Sequence, residues 1–309
     1  MSKEQKVVAI VPAFNEEKGI AKTLSDLKQA LRLYLHEIVV VDGHSSDKTV
    51  EVAKKHGALV LFQMAKGYGD ALITGFLYAT ERLNGNILVT LDADASYDPY
   101  DVPKLLDPIM RKEADYVVGW RIIDANAMPL ASKFGNQAIS WATRHLLKIP
   151  LHDSQSGIFA FRSDLVDQNE FETKGWALNT ELLKTGMETG MTIKELPVRY
   201  HPRLGESKLN IMRGGLDNIK IILKMMKNTE PLRFFGLGGV FFIAIGLLAG
   251  TSVFLGWIPS ETEASFETVI VLALSICFGV LLFGLGIVSN KIKQTRPKRP
   301  RKQLHFETA

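Results

Sequence analysis

Short apolar runs rich in β-branched residues alternate with longer stretches of helical spacing over the first two thirds of the chain. Val7 to Val11, Glu37 to Val41, Leu59 to Phe62, Asn86 to Leu91 and Tyr116 to Gly119 read as strands, with Ile158 to Arg162 a further strand-like run. Glu17 to Leu31, Asp47 to His56, Lys133 to Lys148 and Leu178 to Glu188 repeat their apolar residues at helical spacing. Nearly continuous apolar strands joined by helical crossovers predict an α/β fold whose mostly parallel central sheet is covered on both faces.

The pattern changes sharply near the C-terminus. Phe234 to Ile258 and Thr268 to Asn290 are uncharged until their ends, and their 25 and 23 residues are each enough to cross a hydrocarbon core of roughly 30 Å as a helix. Two transmembrane helices are therefore expected after the α/β body. Between body and spans, Ile211 to Lys227 alternates Ile, Met and Leu with Lys220, Lys224 and Lys227, which predicts an interfacial helix or a packed connector. The expected layout is a body over 1–210, an amphipathic juxtamembrane segment over 211–233, the helix pair over 234–290 and a basic tail over 291–309. Gly246 and Gly250 in the first span form a small-xxx-small pair, suited to close helix contact within the chain or between copies in a homo-oligomer.

Charge then sets the expected topology. Lys291, Lys293, Arg296, Lys298, Arg299, Arg301 and Lys302 follow the second span, whereas Pro259 to Glu267 between the spans carries Glu261, Glu263 and Glu267 and no base. By the positive-inside rule the tail is cytoplasmic, and two spans return the body to the same face. Lys3, Glu4 and Lys6 lead directly into the first strand, so no secretory leader is read there. The net charge of +4 comes from the tail, leaving a nearly neutral body that offers no case for nucleic acid, while anionic membrane lipids attract the tail itself. Cys277, the one cysteine, lies in the second span; it excludes a disulfide framework, and His44, His145, His152 and His201 lack metal-ligand spacing.

Candidate chemistry sits at the carboxyl ends of the strands, where ligands of open α/β sheets bind. Pro12 to Glu16 follows the first strand, Asp42 the second and Asp92 to Ser96 the fourth. Two acids one residue apart can present hard oxygen ligands to magnesium or manganese, with phosphate oxygens and water completing the shell. Asp42 also reads as part of a cap for the helix that follows.

The ordered set Val11-Pro12-Ala13-Phe14-Asn15-Glu16, Val39-Val40-Val41-Asp42-Gly43, Lys66-Gly67-Tyr68-Gly69, Leu91-Asp92-Ala93-Asp94, Gly119-Trp120-Arg121, Ser156-Gly157-Ile158-Phe159 and Arg203-Leu204-Gly205-Glu206-Ser207-Lys208 resembles family 2 glycosyltransferases of the dolichyl-phosphate mannose synthase type. Gly175-Trp176-Ala177-Leu178-Asn179-Thr180-Glu181 is most similar to archaeal dolichyl-phosphate hexosyltransferases. The resemblance implies a GT-A (Rossmann-like) domain that transfers a hexose, with inversion, from a GDP- or UDP-linked donor to dolichyl or polyprenyl phosphate. It gives Pro12, Phe14, Glu16, Asp42, Lys66, Asp92, Asp94 and Glu181 to the nucleotide sugar, and Asp92, Asp94 and Ser96 to Mg2+ or Mn2+. Asp94, Arg203 and Lys208 would serve the leaving diphosphate, and Arg121 and Lys133 the acceptor phosphate. Glu181 reads equally as an exposed helix acid, and Asp153 as a group that orients its neighbours. Two departures stand out: Asp42-Gly43-His44-Ser45 replaces the common Asp-Asp-Gly-Ser, and Ser96 stands where a Gln often follows, so either Ser96 or water fills the third metal position. A processive polysaccharide synthase is disfavoured by the missing Gln-X-X-Arg-Trp motif, and a non-catalytic nucleotide-sugar binder by the intact Asp92 and Asp94.

Overall fold

A computed structural model describes residues 5–124, 127–146, 148–167, 171, 175, 178–205, 223–224, 226–227, 230–255, 257 and 263–295. The chain forms two compact units, an α/β body within 1–219 and a helical pair within 220–298.

Among the described residues seven strands build the body: β1 (Val7–Ala13), β2 (His36–Asp42), β3 (Leu59–Phe62), β4 (Ile87–Thr90), β5 (Tyr116–Ile123), β6 (Phe159–Arg162) and β7 (Ile193–Tyr200). Their order is β3-β2-β1-β4-β6-β5-β7. All neighbours run parallel except β6, which is antiparallel to both β4 and β5. β1 is buried along its whole length because helices close both faces of the sheet. On one side α1 (Ile20–Ala30) turns Ile20, Leu24 and Leu27 inward, and each such fully buried aliphatic side chain contributes roughly 2 kcal/mol. α2 (Thr49–Lys55), α3 (Tyr68–Glu81) and α4 (Val102–Met110) complete the crossovers of the first half. α5 (Leu130–Leu146), the short α6 (Asp164–Asp167) and α7 (Leu178–Glu188) follow. Gly75 of α3 lies directly over the sheet, where an added Cβ would stand 2.5 Å from Ile10 Cγ2.

β7 is absent from the sequence reading. Its residues, Ile193-Lys194-Glu195-Leu196-Pro197-Val198-Arg199-Tyr200, carry no apolar run, and Val198 alone is buried. It is an edge strand, which explains both the charges and the tolerated proline. Asp101, with no exposed surface, fixes it. The Asp101 carboxylate accepts from Arg199 N at 2.8 Å, from Arg199 Nη2 at 3.0 Å and from Lys104 Nζ at 2.5 Å.

In the second unit, α8 (Pro231–Phe254) and α9 (Glu263–Thr295) are long and apolar enough to cross a membrane, and both outrun the expected 234–258 and 268–290 at their N-terminal ends. They meet along glycines. A Cβ on Gly239 would stand 2.7 Å from Gly279 O, and one on Gly279 2.7 Å from Gly239 O, so the two backbones touch there. Gly246 packs against Ile276 and Leu272 O, and Gly250 against Leu272; the small-residue pair is thus used within the chain. Away from this seam the helices expose Leu247, Leu248, Leu274 and Leu281. Most of the Ile211–Lys227 segment, the inter-span residues 258–262 and the basic residues 296–309 lie outside the described residues.

Asp101→Ala should lower stability by about 2 kcal/mol, since it strands Arg199 and frees the β7 edge. Burial alone would raise the Asp101 carboxyl, but the bonds from Arg199 and Lys104 hold it below its usual value. Its contribution is therefore present above the unfolded-state value of about 4 and is lost as pH falls through the lower folded value. Thermal unfolding of the detergent-solubilised chain at pH 7 and at acid pH checks both: the difference between wild type and variant should shrink in acid.

Candidate functional site

The loops after β1 and β2 are stitched together before any ligand is considered. Asn15 takes a left-handed backbone (φ 54), which Asn tolerates better than most residues, and donates its N–H to Ser45 Oγ at 2.8 Å. Ser46 N donates back to Asn15 Oδ1 at 2.7 Å, and Glu16 N donates to Thr49 Oγ1 at 2.8 Å. Asp42 has no exposed surface; its two oxygens accept from Ser45 N at 2.8 Å and Ser45 Oγ at 2.6 Å. These bonds close the turn after β2, while α2 begins after Lys48 with no side-chain cap hydrogen bond. Pro12 is buried at the sheet end, while Phe14 is 47 % exposed over Gly43 and offers an aromatic face to solvent. Lys66 is exposed in the loop before α3, a loop closed by Ala65 N donating to Asp70 Oδ2 at 2.5 Å.

The Asp-Ala-Asp turn after β4 lies against these loops. An added Cβ on Gly19 would stand 2.8 Å from Asp94 Cα, so only glycine lets the start of α1 approach that backbone. Asp94 is nearly buried, and its Oδ1 accepts from Ser96 N at 3.0 Å and Ser96 Oγ at 2.6 Å. Ser96 is itself fully buried, and its hydroxyl, given to Asp94, braces the carboxylate. Asp92, partly buried, accepts from Tyr68 OH at 3.2 Å, and Gly157 lies so close that a Cβ there would stand 2.8 Å from Asp92 Oδ2. Removal from water, followed by the charge of Asp94, pushes the Asp92 carboxyl up to about 7 despite Tyr68, Arg121 and Arg203 nearby.

Arg203 crosses from the far side. Its Nη2 donates to Glu16 Oε1 at 2.8 Å and lies 3.5 Å from Asp94 Oδ2, while its buried Nε has no hydrogen-bond partner among the described residues. Leu204 N donates to Asp94 O at 2.8 Å and His201 N to Ser96 O at 2.8 Å, which lays residues 201–204 along the Asp-Ala-Asp turn. Gly205 (φ +107) ends this strap in a conformation that favours glycine. Lys208 lies outside the described residues. Arg121 is held bidentately by Asp153, Nε to Oδ2 at 2.6 Å and Nη2 to Oδ1 at 2.8 Å, with its guanidinium 5.5 Å from the Tyr200 ring centre. Asp153 thus orients Arg121. Lys133 is exposed on α5, and Glu181 is half-buried on α7 near Asn179, whose Nδ2 donates to Ser156 O at 2.8 Å.

Two adjacent carboxylates withdrawn from water repel each other, and a divalent cation relieves that repulsion; this fits a hard-oxygen metal. Among the described residues no group of three or more His, Cys, Asp or Glu is placed to hold a metal ion, so Asp92 and Asp94 would share the metal with phosphate oxygens and water.

A family model described as "Glycosyl transferase family 2" matches residues 8–168. The chain belongs to that family. This family 2 glycosyltransferase is 34% identical over 220 residues to a "Dolichyl-phosphate hexose transferase" of Haloferax volcanii, covering 71% of this chain and 93% of the relative. It is 33% identical over 224 residues to an "Undecaprenyl-phosphate mannosyltransferase" of Micrococcus luteus, covering 68% and 89%. Against the "Low-salt glycan biosynthesis hexosyltransferase Agl6" of Haloferax volcanii it is 31% identical over 245 residues and spans 57% of that longer protein. The solved glucosyl-3-phosphoglycerate synthase from Mycobacterium tuberculosis in complex with Mn2+, UDP and phosphoglyceric acid superposes with a TM-score of 0.60 at 21% identity, over 72% of this chain and 78% of that one. The GT-A fold implied by the motifs is the fold observed.

Tyr68 and Gly157 stand in quoted motifs, yet nothing in their spacing announces that both touch Asp92. Gly157→Ala should push the Asp92 carboxylate aside and weaken Mn2+ binding in the presence of a nucleoside diphosphate by about tenfold. The paramagnetic resonance of free Mn2+ reads this directly, with circular dichroism confirming the fold.

Proposed function

We propose that this glycosyltransferase moves a hexose, with inversion, from a GDP- or UDP-linked donor to dolichyl or polyprenyl phosphate, making a lipid-linked sugar for glycan or protein glycosylation. The observation that carries this reading is the Asp92–Asp94 pair beside Arg203 in a chain that also holds two membrane-length apolar helices. The names of the relatives support the lipid phosphate, and the neighbour solved with Mn2+ and UDP supports a metal-assisted nucleotide-sugar donor. The tail bases and inter-span acids support a cell-membrane protein with the catalytic domain and both termini cytoplasmic.

In this reading Phe14 and the fastened β1 and β2 loops receive the base and ribose, and Asp92 and Asp94 hold Mg2+ or Mn2+. The cation, when bound, supplies Lewis-acid neutralisation of the donor diphosphate. Arg203 and Lys208 meet the charge that builds on the same diphosphate as it leaves. Arg121, fixed by Asp153, adds positive charge near Asp92, and with Lys133 it is assigned to the acceptor phosphate. A phosphate monoester with its second pKa near 6 is already an oxyanion at neutral pH, so the attacking oxygen requires no general base. Its lone pair forms the bond to the anomeric carbon as the bond to the diphosphate breaks, and the bonding electrons depart with the nucleoside diphosphate. One displacement inverts the centre: an α-linked donor gives a β-linked lipid product.

The test incubates purified chain, Mn2+ or Mg2+ and a polyprenyl phosphate with a panel of labelled nucleotide sugars. The expected outcome is label in the organic phase from one donor, a β-anomeric NMR signal and loss of turnover on chelation. Full turnover under exhaustive chelation, or a soluble alcohol as the true acceptor, sinks the proposal. Asp94→Ala should reduce turnover by at least about 10²-fold, and Arg203→Ala by a comparable factor.

A further inference from the structure

Glu195 is an acid on the edge strand β7, yet only 10% of its side chain is exposed. Leu196, Val198 and Tyr200 pack on the core, and the alternation of β7 sends Glu195 to the opposite face. What covers it there is the corner at His152 and Asp153, between α5 and β6. His152 N donates to both carboxylate oxygens at 2.9 Å, Asp153 N donates to Oε1 at 2.8 Å, and His152 Nδ1 lies 2.7 Å from Oε2. Among the described residues no other group accepts from either backbone N–H.

The flanks of that corner are held from α5. Leu151 O accepts from Arg144 Nε at 3.0 Å and Nη2 at 2.8 Å, and Ser154 N donates to Ser140 Oγ at 3.2 Å. Between these anchors Glu195 grips the backbone of the two residues that reach back to β5. Asp153 does so through the Arg121 fork, and His152 through its ring, stacked on Trp120 with centres 5.2 Å apart. The fork uses Arg121 Nε and Nη2, so the edge made by Nη1 and the second N–H of Nη2 carries no hydrogen bond among the described residues. A pair of phosphate oxygens fits that edge, and its direction depends on where Asp153 stands.

Resting on the transfer reaction given above, we propose that Glu195 is a positioning residue for the acceptor phosphate: it seats Asp153, and Asp153 aims the open edge of Arg121. Without Glu195 two backbone N–H groups lose their acceptor, and the corner and the guanidinium it steers are released together.

Three variants separate grip from charge. Glu195→Ala removes the carboxylate, Glu195→Asp keeps the charge one methylene too far away, and Glu195→Gln keeps a carbonyl oxygen for the Asp153 N–H. In chain labelled at arginine nitrogen and held in detergent micelles, nuclear magnetic resonance follows the Arg121 Nε–H, identified by its loss in Arg121→Lys. Its exchange with water should be several-fold faster in Glu195→Ala and Glu195→Asp than in the wild type and Glu195→Gln. An unchanged rate in the first two overturns the proposal. In the transfer assay the same two variants should raise KM for polyprenyl phosphate by about tenfold and leave KM for the nucleotide sugar within about twofold. A rise shared equally by donor and acceptor overturns the proposal, as does Glu195→Asp behaving as wild type. In an Arg121→Lys background Glu195→Ala should add little to the acceptor KM, whereas a fully additive rise sinks the coupling. Circular dichroism checks folding, and if Glu195→Ala does not fold, Glu195→Asp carries the test. Should the wild type transfer nothing to polyprenyl phosphate, the functional reading falls by itself, while the Arg121 resonance still decides whether Glu195 aims the guanidinium.

Discussion

Two acidic side chains held close together and drawn away from water dominate this fold's functional end. Asp92 and Asp94 bring like charge close together, offset in part by Arg203 at 3.5 Å from Asp94, and the surrounding contacts maintain the pair instead of relaxing it. Ser96 and the backbone of the turn fix Asp94, Tyr68 and Gly157 confine Asp92, and Gly19 brings the first helix up against the turn. The parallel sheet matters because it sends its parallel strands, β1, β2 and β4 among them, to end on one side; the crossovers matter because they leave those ends open. Under the proposed function a metal and an anionic donor offset the repulsion between these like charges, which couples binding of the one to binding of the other.

Much of this was legible in the chain. Continuous apolar strands announce a sheet covered on both faces, and the uncharged C-terminal segments announce the helix pair, because both patterns follow from burial or lipid exposure alone. β7 was invisible for the converse reason: an edge strand held by Asp101 through its backbone and Arg199 needs no apolar periodicity. The residues of the crevice were found by motif, but their local roles were not. Asp42 and Ser96 are polar residues in the expected places whose side chains are committed to neighbours, Ser45 and Asp94. Asp153 showed itself only as an orienting acid, since its partner Arg121 lies 32 residues away in sequence. Lys208 and most of the Ile211–Lys227 stretch fall outside the described residues.

The helix pair shows the same division. Glycine spacing in α8 suggested close helix approach but left its partner open, and the direct backbone contact of Gly239 with Gly279 locates that approach inside the chain. Small residues make such seams because hydrocarbon lipid gives two apolar helices little reason to associate beyond close packing.

The bridge from Arg203 to Glu16 carries a consequence for selectivity. Before a donor enters, the guanidinium is already occupied by a carboxylate, with Asp94 at its other flank. An incoming anion must therefore outbid Glu16 for the same fork, and a singly charged ion has little advantage over the carboxylate it displaces. A diphosphate, bringing more charge and more oxygens, does. Under the proposed function the ion pair works as a latch with a threshold, keeping the crevice indifferent to small anions and yielding to nucleotide-linked ones.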